Sequence, residues 1–363
     1  MVFNMIEKTK MELDDAFSRL ERKNLFDGNL RFGNAIFHAK TNRTGVGKPS
    51  SGYLIREHAK VVKDTGVERY QRIEEFFYSI DSCPICGSTN SKHLLTRFGL
   101  DIWRCQDCRH GFQNPRLKYE KATELYMDDR SASDIYTSPL QIEIDEIKYQ
   151  YGVDLIGLAL GEGKKRKILD IGCGAGVFLK TAHKNGWQIC VGVDPNENYS
   201  KIYSESKGIQ YIQGTLEKLD EYNIGDNYDC ISMWSVLEHM NNPKKVMDKL
   251  SSILAPGGVI FILVPNLDSL ATRLMRQLSP TFAWKHPNFF CKESLANLMD
   301  ISGFKPILIE TVITEIDNIR NYMSFEWPYD ADRPYDKAFE IITPEWIHKN
   351  MLGSRLIGIF KRK

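Results

Sequence analysis

The sequence predicts an α/β chain: a mostly parallel sheet wrapped by helices, preceded by a small cysteine-bearing module and an N-terminal helical extension. Three observations predict it. From Lys167 onward, short apolar runs alternate with helical segments, the pattern of strands joined by crossover helices. Two Cys-x-x-Cys pairs stand between positions 83 and 108. The 363 residues exceed one ordinary core and suit a large domain with smaller modules.

Residues 1–80 form the extension. A charged helical pattern runs around Leu13, Phe17 and Leu20, and a Gly- and Asn-rich stretch follows from Asp27 to about Gly52. A second helical pattern, roughly Glu57 to Tyr78, puts Val61, Val62, Val67, Tyr70, Ile73 and Phe77 largely on one face. The expected role is a packing arm or a dimerising one, the latter giving a homodimer. Residues 81–116 hold the cysteine module. After Pro115 a helical linker with Tyr119, Tyr126, Tyr136 and Tyr149 opens a domain spanning 117–363. Lys167–Ile171, Ile189–Asp194, Gln210–Gln213, Tyr228–Trp234 and Val259–Val264 read as its strands. Lys305–Thr314 and Arg355–Lys361 are two later ones, separated by an aromatic and acidic insertion.

A net charge of +1 excludes whole-molecule attraction to nucleic acid or an anionic membrane. The first residues lack the apolar core of a signal peptide, and no stretch approaches the roughly 20 apolar residues that cross a bilayer. The expectation is a cytoplasmic chain without membrane insertion, whose eight cysteines stay reduced and point to metal binding before disulfides.

Cys83, Cys86, Cys105 and Cys108 are spaced C-x2-C-x18-C-x2-C. Each pair closes a knuckle that aims two thiolates at one point, and two knuckles make a tetrahedron for zinc. With no histidine inserted, the site is expected to be closed and structural, a zinc ribbon. Arg97, Arg104, Arg109, His110 and Arg116 make it locally basic. That suits RNA phosphates, an anionic small substrate, or simple bracing of the larger domain. Cys173, Cys190, Cys230 and Cys291 read as buried small residues.

The first strand of the large domain ends in Asp170-Ile171-Gly172-Cys173-Gly174-Ala175-Gly176, and a helical run starts at Val177. Glycines at a strand-to-helix turn let the backbone bend and approach a ligand. The second strand ends in Asp194, a carboxylate placed to accept from both hydroxyls of a ribose. A dinucleotide fingerprint needs a third glycine at position 177, where Val177 stands. The G-x-G-x-G spacing fits a nucleoside ligand without a pyrophosphate, which favours S-adenosylmethionine (SAM) over NAD.

At these motifs residues 168–266 resemble a class I SAM-dependent methyltransferase of the broad small-molecule group. Ile168–Gly176 matches its glycine motif, and Val193-Asp194-Pro195 its acidic strand end. Val236-Leu237-Glu238-His239 follows the fourth strand, and Leu254-Ala255-Pro256-Gly257-Gly258 precedes the fifth. The resemblance implies a Rossmann-like, seven-stranded sheet, mostly parallel with the last strand antiparallel. It also implies that Gly172, Gly174 and Gly176 line the methionine and ribose portions of SAM, with Asp170 fixing the loop or the methionine amino group. Asp194 would hold the ribose, Thr215 and Leu216 would flank the adenine, and Trp234 would sit near the methionine tail. Many family members carry an acid where Thr215 stands. For Thr215 and Trp234 a structural role is an equal reading.

A hydroxyl acceptor needs a proton acceptor, and histidine suits neutral pH. His286 and His239 are the candidate bases, with a capping or packing role as the alternative for His239, and Glu238 placed to orient either ring. The segments Leu267–Phe290 and Asn321–Pro344 offer Trp284, Phe289, Tyr322, Trp327 and Tyr329 to a sugar-like ring or to their own packing. The leading expectation is methyl transfer to a small-molecule acceptor, a hydroxyl of a sugar, nucleotide sugar or related metabolite. Zinc ribbons ahead of this domain also resemble those of bacterial sugar-modifying enzymes. The runner-up is an RNA nucleobase methyltransferase that holds RNA on the ribbon; a third reading is a SAM-binding interaction module without catalysis.

Overall fold

A computed structural model describes residues 2–26, 77–97, 100–120, 122, 139–161, 167–199, 208–283, 285–319 and 341–363. The second expected helix, as far as residue 76, lies outside them, as do Tyr126, Tyr136, Trp284, Tyr322, Trp327 and Tyr329.

Helix α1 (Val2–Phe26) extends the predicted pattern in both directions. Its Ile6, Leu13, Ala16 and Leu20 recur at helical spacing and are buried in one cluster with Ile144, Tyr151 and Ile156 of α2 (Pro139–Leu160). Polar ties fix it further. The Lys10 ammonium meets Glu310 at 2.7 Å, Arg19 meets Glu143 at 2.8 Å, and His348 Nε2 meets Asp14 at 2.7 Å.

The cysteine module contributes β1 (Phe77–Tyr78), β2 (Ser91–Arg97), β3 (Leu100–Cys105), β4 (Gly111–Gln113) and β5 (Arg116–Leu117). Phe77 and Tyr78, expected to end a helix, pair instead with β5. The cause is not local. The Asn114 side chain accepts from the Ile80 amide at 3.0 Å and donates to its carbonyl at 2.9 Å, which holds the chain extended beside β5.

The large domain follows with β6 (Lys167–Ile171), α3 (Val177–Lys184), β7 (Ile189–Asp194), β8 (Ile209–Gln213), β9 (Tyr228–Trp234) and α4 (Pro243–Ile253). Then come β10 (Leu254–Pro265), α5 (Leu270–Met275), β11 (Asn288–Phe289), α6 (Lys292–Ile301), β12 (Phe304–Val312), α7 (Pro344–Lys349) and β13 (Arg355–Arg362). Seven of these strands form one sheet in the order β12-β13-β10-β9-β6-β7-β8, parallel except for β13, which runs antiparallel to β10 and β12. This is the Rossmann-like topology expected. Strand β10 begins earlier than the apolar run suggests, because Leu254 pairs with Tyr228 before a bulge leads to Val259. The sheet is apolar on both faces, which is what helices on both sides require.

A four-stranded sheet, β11-β4-β3-β2, crosses the boundary between the cysteine module and the large domain. Strand β4 of the module pairs with β11, which lies two residues after His286. Among the described residues, no helix is long and apolar enough to cross a membrane.

Candidate functional site

The four module cysteines converge. The sulfurs of Cys83 and Cys108 lie 3.5 Å apart, those of Cys86 and Cys105 3.6 Å, and all four fall within 4.8 Å of one another. Tetrahedral zinc with Zn–S bonds of about 2.3 Å sets sulfurs about 3.8 Å apart, so the cluster fits the ion. The hydrogen bond from Cys108 lowers the Cys83 thiol to about 5, toward the thiolate a metal needs. His110 stands aside, buried against Phe112 and Phe290, with Nε2 at 3.2 Å from Asn288 Oδ1. Cys173, Cys190, Cys230 and Cys291 are all buried, as small residues in a packed interior are expected to be.

A cavity of about 420 Å³ opens at the carboxyl ends of β6, β7, β9 and β10, the place where open α/β sheets bind ligands. The glycine loop forms one wall. Gly172 and Gly174 have φ of 69° and 50°, which L side chains rarely adopt. A Cβ on Gly172 would meet Val236 Cγ2 at 2.4 Å, whereas one on Gly174 would project into open space. Gly176 does not line the cavity; at φ 74° it is the N-cap of α3 and serves the turn. Asp194 holds the loop in place, accepting from Gly174 N at 3.0 Å and from Asn196 N at 2.9 Å. Burial raises its carboxyl despite these amides. Asp170 lies behind the loop, accepts from Ser232 Oγ at 2.7 Å, and is pushed up to about 8 by burial.

Thr215 and Leu216 line the same wall. The Thr215 hydroxyl is buried without a hydrogen-bond partner among the described residues, as a group awaiting a ligand would be. Trp234 also borders the cavity, but its ring packs on Tyr149, Phe178 and Phe261, with centroids 4.9, 5.1 and 4.5 Å away. It supports the site from beneath α2. These features fit SAM: a cavity of nucleoside size, the Asp194 carboxylate at a strand end, the orphan Thr215 hydroxyl, and in Asp170 a buried acid that a cationic amino group would ionise.

The same cavity is also lined by Glu238, His239, Lys285, His286 and Arg355. Sequence reasoning brought both histidines here, and their rings meet edge to face at 4.8 Å between centroids. Their orientation differs from expectation. His239 Nδ1 donates to the Lys285 carbonyl at 3.0 Å and His286 Nδ1 to the Thr281 carbonyl at 3.1 Å, so main-chain oxygens, not Glu238, set both rings. Burial and the Lys285 charge lower His239 to about 4; burial, then His239 and Lys285, hold His286 well below its ordinary value. Both are neutral near pH 7, with the remaining lone pair on Nε2. Glu238 is 1% exposed, pushed up to about 8 by burial, and its Oε2 has no hydrogen-bond partner among the described residues. Phe289 does not line the cavity and packs with Ile102, Leu267 and Phe282. Phe17 of α1 and Gln141, Asp145, Lys148 and Tyr149 of α2 also line the cavity. Sequence reasoning missed them; the only signal was the tyrosine-rich linker.

The fold and the cavity together define a class: a SAM-binding methyltransferase domain. Residues 147–309 match the family model described as a methyltransferase domain. A ubiquinone biosynthesis O-methyltransferase from Dictyostelium discoideum is 30% identical over 112 residues, 27% of this chain and 35% of that one. A ubiquinone biosynthesis O-methyltransferase from Aeromonas salmonicida is 24% identical over 173 residues, 44% of this chain and 70% of its own length. The chain thus spans about a third of the length of the Dictyostelium relative. Among solved structures, a SAM-dependent methyltransferase from Mesorhizobium loti is 17% identical with a TM-score of 0.42, covering 59% of this chain and 98% of that one.

Proposed function

We propose that this chain transfers the methyl group of SAM to a hydroxyl of a small polar metabolite, a sugar, nucleotide sugar or related compound. One observation carries the reading: a single cavity is lined both by the glycine loop and Asp194 and by His239, His286, Lys285 and Arg355. SAM supplies an activated methyl group on a sulfonium. The residues supply placement. Asp194 takes the ribose hydroxyls, the Thr215 hydroxyl and the Leu216 amide flank the adenine, and Asp170 meets the methionine amino group. The acceptor hydroxyl sits at the His239–His286 pair, where an Nε2 lone pair takes its proton in the simplest form of the reaction. Lys285 and Arg355 draw an acceptor that carries negative charge.

Oxygen as the acceptor atom is supported by the two relatives named as O-methyltransferases. A small acceptor, not RNA, is supported by the module's arginines. Arg104 and Arg109 pair with Asp268 at 2.7 and 3.2 Å, Arg116 is buried on main-chain carbonyls, and Arg97 donates to the Ser279 carbonyl. These cations bind the large domain, so the ribbon presents few of them to a phosphate backbone. Labelled SAM incubated with the protein and a cell extract, split into metabolite and RNA fractions, tests the reading. Label in the metabolite fraction is expected. Label in RNA alone, or in neither, would overturn it.

A further inference from the structure

Glu238, His239 and His286 each present one donor atom, and the three atoms lie within 4.8 Å of one another. They come from two separate segments: Glu238 and His239 directly follow β9, and His286 lies in the loop before β11. Both rings are oriented in the same way. Each commits Nδ1–H to a main-chain carbonyl, Lys285 or Thr281, which fixes the neutral tautomer and aims the Nε2 side of the ring elsewhere. That is the outer-shell arrangement metal-binding histidines adopt. The third member is a carboxylate buried to 1% exposure, with Oε2 lacking any hydrogen-bond donor among the described residues. A buried carboxyl group with one oxygen unsatisfied, beside two neutral imidazoles, is costly as it stands. One divalent ion at the centre compensates all three.

We infer that Glu238, His239 and His286 hold a first-row divalent transition-metal ion at the acceptor end of the cavity, separate from the zinc of the ribbon. Two imidazole nitrogens and one carboxylate oxygen form the donor set of open two-histidine, one-carboxylate sites and disfavour calcium or magnesium, which take oxygen ligands. Bonds of about 2.0–2.2 Å place such donors about 3–4 Å apart, so the cluster closes on an ion with small side-chain movements. Three protein ligands leave a position open toward the cavity. Among the described residues, the other mixed group that could hold a metal is Asp268, Cys291 and Glu293, whose two carboxylates are already engaged by Arg104 and Arg109.

The role assigned to the ion rests on the methyltransferase reading; its presence does not. With an acceptor hydroxyl at the open position, the ion replaces the imidazole base of the simplest form, both Nε2 lone pairs being committed to it; it lowers the hydroxyl's pKa, and the proton leaves to water. The oxygen's electron pair then forms the O–CH3 bond, the CH3–S bond breaks, and its pair stays on sulfur as the neutral thioether.

The test uses the full chain with zinc in its ribbon and Co2+ alone as the probe, without SAM or acceptor. Visible absorption and calorimetry are expected to show one further equivalent bound, lacking the thiolate-to-cobalt charge transfer that marks the ribbon. Glu238→Gln, nearly isosteric, and His286→Ala should each weaken that equivalent at least about 100-fold while native circular dichroism is retained. No further equivalent in the unaltered protein, or undiminished binding in both variants, overturns the site. SAM affinity, measured separately on the unaltered protein, reports on the methyltransferase reading alone, so failure of one is distinguishable from failure of the other.

Discussion

Replacing Cys105 with serine should slow methyl transfer far more than it weakens SAM binding, although the residue lies in a separate module. The path is short. Gln113 donates its amide to the Pro287 carbonyl at 3.1 Å, and its side chain reaches the Ala283 carbonyl at 3.4 Å. Arg116 donates to the Pro287 carbonyl at 2.9 Å and to the Asn241 carbonyl at 2.8 Å. These contacts flank His286 on one side and follow His239 on the other. At about 1 kcal/mol for each neutral bond and about 2 for each guanidinium bond, the ribbon contributes on the order of 6 kcal/mol to the local order of that strip. A displacement of about 1 Å at reacting groups suffices for a roughly 100-fold loss of rate. The donor wall of Gly172, Asp194 and Thr215 receives none of these four bonds, so SAM affinity in calorimetry should stay near that of the unaltered protein. Hydrogen exchange read by mass spectrometry needs no acceptor and checks the path directly. The zinc-free variant should lose protection in peptides spanning 283–290 and keep it in β6 and α3. Equal protection of 283–290 with and without zinc would refute the coupling.

Asp194→Ala should weaken SAM by roughly 10- to 150-fold in calorimetry, from the loss of charge-assisted bonds worth about 1.5–3 kcal/mol; unchanged affinity would remove it from the site. Gly172→Ala should destabilise by about 1–3 kcal/mol from its left-handed φ alone, with the Val236 clash added. Adding Val236→Ala should recover only the clash, as read by denaturant unfolding, and full recovery would show that φ carries no strain. Without SAM, Asp170 keeps its proton in the folded state up to about 8, against 3.8 as its ordinary value. Because the folded state then binds more protons than the unfolded chain, stability should fall as pH rises through that window, by up to about 1.4 kcal/mol per unit. Between pH 6.5 and 8 Asp170→Asn should flatten the slope, and an unaltered slope would count against a protonated Asp170.

The donor half of the site was legible in the sequence because its signals are local. A glycine loop, an acid at a strand end and a strand-to-helix switch each occupy a few consecutive residues, and each states a backbone need that few residue types satisfy. Even there, position alone did not assign roles: Gly176 sits in the loop yet caps α3, and Trp234 ends a strand yet packs beneath α2. The strand at Phe77–Tyr78 was not legible, since a residue 36 positions beyond Tyr78, Asn114, holds that chain extended through Ile80. The cavity walls given by Phe17 and Lys148 depend on α1 docking along α2, a tertiary contact that apolar periodicity announces without naming its partner.

The His239–His286 pair, where the acceptor is proposed to bind, shows how such contacts build a site. His239 and His286 are 47 positions apart, and nothing in either neighbourhood states that they meet. They meet because β11 is not free to pack against its own domain alone. It completes the sheet that begins in the zinc module, and the main-chain carbonyls that orient the two rings belong to the loop so pinned. The basic residues that invited comparison with an RNA-binding ribbon are spent on this docking: Arg116, almost wholly buried, ties Asn241, Pro287 and Asn288 together beneath the histidines. A module built to grip nucleic acid would keep its guanidinium groups in solvent, where counterion release drives binding. In this module Arg116 is buried where its hydrogen bonds fix the loop that carries His286, and Arg104 and Arg109 pair with Asp268, so few guanidinium groups are left for such binding.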